Sequence, residues 1–307
     1  MKKQTSGPHI IESIAEYNKI VGLPKPGHPL ISVIEIHCNP DLPALPEDKL
    51  ICNFYNIFLK RNINGAMRYG HKYFDFSDGI MGFSLPKQVF TFDRESDLSR
   101  ITGWMLLIHP DFIRKYPLAN RIDKYGFFSY NVNEALHLSE KEEGIIERIM
   151  QDIRTEYEHS IDAFSQDVII SHIEVLLNYS NRFYNRQFIT RSSSEDDLIM
   201  RFERIIKDLF QQDQINQIPS VTEIAEQLNV SVHYLSDMLR SLTGMNAQQH
   251  IHNLLIEKAK EILLTTNLSI NETAYKLGFE YPQYFNRLFK NKTGITPAAF
   301  RKELANN

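Results

Sequence analysis

The chain has 307 residues, 34 Lys and Arg against 38 Asp and Glu, a formal net charge of −4, 42% hydrophobic residues and 2 Cys. That apolar share beside 23% charged residues excludes wholesale disorder, and 13 Gly with 13 Pro exclude fibrous and low-complexity classes. Two cysteines, Cys38 and Cys52, give no disulfide framework and fit a reducing compartment. No run of about 18 apolar residues marks a transmembrane helix, and the N-terminal MKKQTSGPHIIESIAEYNK lacks the apolar core and cleavage site of a secretory signal. A cytoplasmic protein with no membrane partner is therefore expected, and two domains follow from length at roughly 100–200 residues each.

In chain order, ESIAEYNKIVG reads as a short amphipathic helix. It is followed by short runs rich in β-branched and aromatic residues: LISVIEI (30–36), LICNFYNIFL (50–59), GAMRYGHKYFDFS (65–77), GIMGFSL (79–85), QVFTFD (88–93) and GWMLLIHP (103–110). Gly, Pro, Asn or Asp punctuates them, which is the spacing of a β-sandwich or barrel over about residues 28–110. From Ser139 the period changes. Ser139 and Glu142 have capping-box spacing, and Ile145, Ile146, Ile149, Met150, Ile153 and Tyr157 recur at helical intervals. A second helix carries Phe164, Val168, Ile169, Ile173, Leu176, Leu177 and Phe183. The two predict a helical hairpin over about 139–186, which either covers the barrel or pairs in part with a second subunit. The serine-rich stretch 190–197 reads as a linker between a domain over 1–189 and a helical domain over 198–307.

The last third contains a repeat. Both copies open with a capping box, Ser220 with Glu223 and Ser269 with Glu272. Ala225 then matches Ala274, Leu228 matches Leu277 and Val230 matches Phe279. After one extra residue in the second copy, Leu235 matches Phe285, Leu239 matches Phe289, Arg240 matches Lys290, and Thr243-Gly244 matches Thr293-Gly294. Asn229 and Gly278 stand where a helix end wants a left-handed residue. Each copy therefore reads as helix, tight turn, helix and glycine stop, the layout of a helix-turn-helix. A single such pattern is weak evidence, whereas two registered copies are strong. Between them, residues 247–264 place Ile251, Leu254, Leu255, Ala259, Ile262 and Leu263 on one helix face. At about 1.5 Å per residue that helix spans roughly 27 Å, near the ~34 Å repeat of the major groove on one DNA face.

The run 272–302, with Ala274, Gly278, Phe279, Tyr284, Phe285, Arg287, Phe289, Lys290, Gly294, Thr296, Pro297, Phe300 and Arg301, resembles the signature of the AraC/XylS family of bacterial transcription regulators. The resemblance covers about residues 198–304. By layout alone, the N-terminal region is similar to the cupin-like β-barrel with helical hairpin found in many such regulators. The resemblance implies an α+β chain: a cupin-like effector-sensing or dimerisation domain, then an all-α domain with two helix-turn-helix motifs. It implies a sequence-specific activator that acts as a homodimer, reads two successive major-groove segments of double-stranded DNA, contacts RNA polymerase, takes no cofactor and has no enzymatic activity.

The second recognition helix should span Pro282 to Lys290, with Phe285, Leu288 and Phe289 inward. Gln283, Tyr284, Asn286, Arg287 and Lys290 are left on outer or flanking faces, Tyr284 being equally able to pack. Gln suits adenine, and Arg suits guanine or a phosphate. Family resemblance implies that Pro282, Gln283, Tyr284 and Arg287 reach DNA. The first recognition helix should span Ser231 to Ser241, with Leu235, Met238 and Leu239 inward and His233, Tyr234, Ser236, Asp237 and Arg240 as contacts. The resemblance implies Arg where this chain has Asp237, and a carboxylate cannot bind phosphate. From Asp196 to Asn307 twelve Lys and Arg stand against thirteen Asp and Glu, but across 276–302 Lys276, Arg287, Lys290, Lys292, Arg301 and Lys302 face only Glu280. One positive face is expected, with fewer phosphate contacts and a shallow salt dependence.

In the N-terminal region His37, His71 and His109 lie at or near predicted strands, but the His-x-His of metal-binding cupins is absent and no metal site is expected. A barrel mouth suits a small-molecule effector, for which Tyr55, Arg68, Tyr69, His71, Tyr73 and Trp104 are the candidate lining. No nucleophile–base pair, phosphate loop or zinc spacing occurs. Two rival readings stay open: a cupin-type metalloenzyme with a helical appendage, and a degenerate regulator that pairs with another protein without binding DNA.

Overall fold

The computed structural model describes residues 9–38, 49–62, 79–91, 101–131, 134–158, 164–190, 192–210 and 217–305, and the chain divides into two compact units, residues 1–187 and 188–307.

The first unit begins with β1 (His9–Ile11) and α1 (Ile14–Ile20), the helix capped by the Ser13 hydroxyl accepting from the Glu16 N–H. Then follow β2 (Ile31–Ile36), β3 (Lys49–Cys52), β4 (Tyr55–Arg61), β5 (Ile80–Ser84), β6 (Val89–Thr91), β7 (Thr102–Ile108) and β8 (Leu136–His137). They form two sheets, ordered β1-β3-β6 and β2-β7-β4-β5-β8, antiparallel throughout except for the parallel pair β1 and β3. The apolar run 50–59 is thus two strands in different sheets. The chain turns at Asn53 and Phe54, where the Asn53 N–H donates to the Ile11 carbonyl (3.1 Å) and Phe54 is buried. Because the ladder breaks at that turn, the sheets stay separate: the closed barrel expected over 28–110 is absent among the described residues. β1 and β8 lie outside that range altogether. The expected strand over 65–77 lies outside the described residues.

The five-stranded sheet has two working faces. Side chains alternate along a strand, and directly opposed residues share a face. Tyr55, Ile57 and Leu59 of β4 therefore share a face with Phe83 of β5 and with Trp104 and Leu106 of β7. Three short 3-10 turns (117–120, 122–124, 126–129), α3 (Glu140–Glu158) and α4 (Ser165–Thr190) pack here, with Phe127 and Phe128 against Phe83 (ring centres 4.4 and 5.4 Å). The opposite face carries Met105 and Leu107, which join Ile11, Leu50, Cys52 and Phe54 of the first sheet's side in one core cluster. At the start of α3 the Ser139 N–H and hydroxyl both donate to the Glu142 carboxylate, at 2.9 and 3.0 Å, which is the glutamate half of the expected capping box. On α4 Ile169, Ile173, Leu176, Leu177 and Phe183 are buried, while Val168, and Phe164 just before the helix, face solvent, 38% and 70% exposed.

The second unit is helical among its described residues. The stretch expected as a linker opens α5 (Ser192–Phe210) instead. Serines followed by acidic residues are a helix-start composition as much as a linker one, which is why the two readings compete. After it come α6 (Val221–Leu228), α7 (Val232–Thr243), α8 (Ala247–Thr265), α9 (Ile270–Lys276), α10 (Pro282–Thr293) and α11 (Pro297–Ala305). α5, α7, α9, α10 and α11 all pack on α8.

Candidate nucleic-acid interface

The interface is built twice by the same local chemistry. At Ser220 and Ser269 both halves of the capping box form: each hydroxyl accepts from the glutamate N–H at 3.2 Å, and each glutamate accepts the serine N–H at 2.7 Å. Those bonds hold the Glu223 and Glu272 carboxyls below their ordinary range. The corner follows. Asn229 (φ 57°) and Gly278 (φ 81°) take the left-handed conformation. The next N–H then bonds back to the corner alanine, Val230 to Ala225 and Phe279 to Ala274, both at 3.0 Å. Ala225 and Ala274 are fully enclosed, so no larger side chain fits where the helices cross. Both second helices stop alike. Gly244 (φ 77°) and Gly294 (φ 82°) donate to Arg240 and Lys290, and the preceding threonines donate to the Leu239 and Phe289 carbonyls at 2.7 and 2.8 Å.

α8 serves both cores. Its C-terminal half supplies Ile256, Ala259, Ile262 and Leu263 to a cluster with Ala274, Leu277, Phe285 and Phe289. Its N-terminal half buries Ala247, Ile251 and Leu255 on the side of α5 and α7. Nineteen residues of helix span about 28 Å. Leu254, expected inward, is only half-buried, and Ile256 takes its place. Each buried phenylalanine of α10 contributes on the order of 2 kcal/mol through apolar area.

That burial decides what α10 shows. Phe285 and Phe289 are at 0% exposure, and Leu288 is half-buried against the same cluster. Gln283, Tyr284, Arg287 and Lys290 are exposed, and Pro282 and Asn286 are partly so. Tyr284, left open between packing and contact, is 53% exposed, with the Arg287 guanidinium 5.8 Å from its ring centre. On α7 Leu235, Met238 and Leu239 are buried, His233 and Arg240 exposed, and Tyr234, Ser236 and Asp237 partly buried. Tyr234 packs edge-on against Phe188 (5.3 Å). Asp237 accepts from Arg240 at 3.2 Å, so two of the expected contacts engage each other.

The positive face is smaller than the sequence implied. Arg301 is half-buried and its Nε donates to the Leu263 carbonyl of α8 at 3.2 Å, which makes it a structural tie between α11 and α8. Arg287, Lys290, Lys292 and Lys302 remain exposed, and Lys276 is half-buried. The α8 histidines add no charge at neutral pH. Burial lowers the His250 imidazole, and burial followed by the Lys292 charge lowers that of His252.

In the first unit Tyr55 and Trp104 occupy the helix-covered sheet face. The Tyr55 hydroxyl donates to Asp123 (3.0 Å), burial followed by that bond pushing its phenol up. Trp104 is buried, with Arg154 of α3 at 5.9 Å from its ring centre. They pack; they do not line the space between sheets. Arg68, Tyr69, His71 and Tyr73 lie outside the described residues. His109 caps α2 (Pro110–Ile113), its Nδ1 accepting the Asp111 N–H at 3.3 Å, and His37 lies 3.7 Å from Glu35. Sequence reasoning missed the opposite face of the sheet. There Asn56 and Ser84 stand directly across from each other, and the Asn56 Oδ1 and the Ser84 Oγ are buried without a hydrogen-bond partner. Four residues along β4 from Asn56, the Lys60 ammonium lies 4.7 Å over the Phe58 ring, and burial brings its pKa down to about 8. Strand alternation with Phe58 could have found them; aromatic content pointed to the other face.

Residues 224–303 match the family described as a helix-turn-helix domain. Among similar proteins, the HTH-type transcriptional regulator YfiF of Bacillus subtilis is 34% identical over 137 residues, 45% of this chain and 41% of that protein. The transcriptional activator RhaS of Escherichia coli is 25% identical over 138 residues, 45% of this chain and 46% of its own length. The C-terminal domain of the response regulator yesN from Fusobacterium nucleatum is 34% identical, with 33% of this chain and 93% of that one covered at a TM-score of 0.29. The chain thus spans less than half the length of these two full-length relatives. No helix among the described residues is long and apolar enough to cross a membrane. With its signature residues in place on a duplicated helix-turn-helix, the second unit carries an AraC-type helix-turn-helix domain of the kind found in bacterial transcription regulators.

Proposed function

We propose that the chain is a sequence-specific DNA-binding transcription regulator whose second unit inserts α7 and α10 into successive major-groove segments. The observation that carries this is the pair of matching helix-turn-helix motifs on one connecting helix, each with its apolar face buried and its polar face exposed. In this reading α10, with Arg287 and Lys290, supplies most of the grip. α7 contributes less, because Asp237 holds Arg240. Activation through RNA polymerase is the proposed output, in keeping with the name of the similar RhaS.

The first unit is proposed to control the second as a cupin-like domain that senses a small polar molecule and pairs two copies in a homodimer. Asn56 and Ser84, with Lys60 on the same sheet face, support the sensing role, since the Asn56 Oδ1 and the Ser84 Oγ are buried without a hydrogen-bond partner that a ligand would supply. Solvent-facing Val168 and Val175, one heptad apart on α4, support the pairing. No enzymatic role is part of this reading.

The test is fluorescence anisotropy of the full chain against duplexes from a genomic library. A preferred site bound at least a hundredfold more tightly than its scrambled version is expected, and Arg287→Ala should abolish the preference. Equal binding to both duplexes would reject sequence-specific regulation.

A further inference from the structure

On the reading above, α10 meets base edges; its exposed groups say which bases. Tyr281 and Tyr284 are 47% and 53% exposed, large apolar surfaces at the start of the helix. Their rings meet edge to face with centres 5.8 Å apart, so each fixes the other's position. Arg287, one turn on, rests on the Tyr284 ring at 5.8 Å. A guanidinium seated on a ring keeps its N–H edge for hydrogen bonds. The three side chains thus form a short ladder: aromatic, aromatic, planar donor.

The occupant follows from chemistry. Around the ladder Arg287, Lys290 and Lys292 are exposed cations, and the nearby Glu280 is hydrogen-bonded to the Tyr281 hydroxyl. That charge calls for a polyanion. The polyanion must also offer an apolar spot to cover the tyrosines, and the thymine 5-methyl is the apolar group displayed in the major groove. The N-terminal residues of a recognition helix are the ones that reach base edges, and Tyr281 and Tyr284 hold those positions.

We propose that Tyr281, Tyr284 and Arg287 read a thymine–guanine step, the tyrosine rings covering the thymine methyl and Arg287 donating to the neighbouring guanine. Tyr284 is then a specificity residue that uses its ring and not its hydroxyl, and Arg287 owes its direction to the ring beneath it.

The experiment begins with selection of a preferred duplex from a random pool by the full chain. Each thymine in that duplex is then replaced by uracil, which removes only the methyl group. Anisotropy titrations compare the native chain with Tyr284→Ala, Tyr284→Phe and Tyr281→Ala, all checked for native circular dichroism. At one thymine beside a guanine, uracil should weaken native binding roughly fourfold, the worth of one buried methyl. Tyr284→Phe should keep that difference, and Tyr284→Ala should bind the thymine and uracil duplexes equally. The proposal is overturned if no thymine replacement changes affinity twofold, or if Tyr284→Ala still tells thymine from uracil. A pool that yields no preferred sequence overturns the DNA-reading function as well, and so separates the two failures.

Discussion

Arg301 separates a structural reading of the second unit from an electrostatic one. Helix α8 ends at Thr265, so the Leu263 carbonyl has no N–H of its own helix to accept. The Arg301 Nε fills that role at 3.2 Å, across a sequence separation of 38 residues. Arg301→Ala removes a charge-assisted hydrogen bond worth about 1.5–3 kcal/mol and leaves the carbonyl without a donor. The loss is offset in part because the Arg301 Nη2 is itself buried without a partner, a cost on the order of 1 kcal/mol that disappears with the side chain. The net expectation is a destabilisation of about 1–2 kcal/mol, or a fall in Tm on the order of 5 °C for a unit of this size. Differential scanning calorimetry of the full chain reads the second unit's transition. A salt titration of DNA binding reads the other half: the slope of log K against log salt should stay unchanged, because Arg301 touches no phosphate. An unchanged Tm together with a slope lowered by about 0.9 would refute the structural assignment and return Arg301 to the binding face.

Three further expectations follow from the same geometry. Asn229→Gly should be nearly neutral and Asn229→Val should destabilise by about 1–2 kcal/mol in chemical denaturation, because the position is left-handed. Asp237→Asn should free Arg240 and tighten DNA binding several-fold at low salt, with the gain vanishing as salt rises; an equal gain at all salt concentrations would mean that Arg240 is not the agent. The capping glutamates have folded-state pKa values held below the ordinary 4.5, so their contribution is present above that pH and lost as pH falls through the folded values. Glu223→Gln and Glu272→Gln combined should lower stability at neutral pH and flatten the acid limb of the stability curve below about pH 4.5, where the variant and the native chain converge.

Much of the second unit is local, and local physics is legible in a sequence. A capping box needs only Ser220 and Glu223, a left-handed corner only Asn229 or Gly278, and a helix stop only Gly244 or Gly294; the hydrogen bonds follow residue by residue. Inward positions of α7 and α10 followed from the 3.6-residue period, because a core on one side requires them. What the period could not reveal was partnership across the fold. Arg301 reads as a free cation until α8 ends beside it, and Arg240 reads as a phosphate contact until Asp237 is seen to hold it.

In the first unit strand-forming runs were legible, but the sheet to which each strand belongs was not. A β-strand displays its alternation without naming its neighbour, so the turn at Asn53 and Phe54 that sends one apolar run into two sheets was hidden. The same ambiguity hid which sheet face each ligand candidate takes. Tyr55 and Lys60 sit on one strand, five residues apart and hence on opposite faces, and only the packing of helices on one face and a second sheet on the other decides which of them looks into the enclosed space.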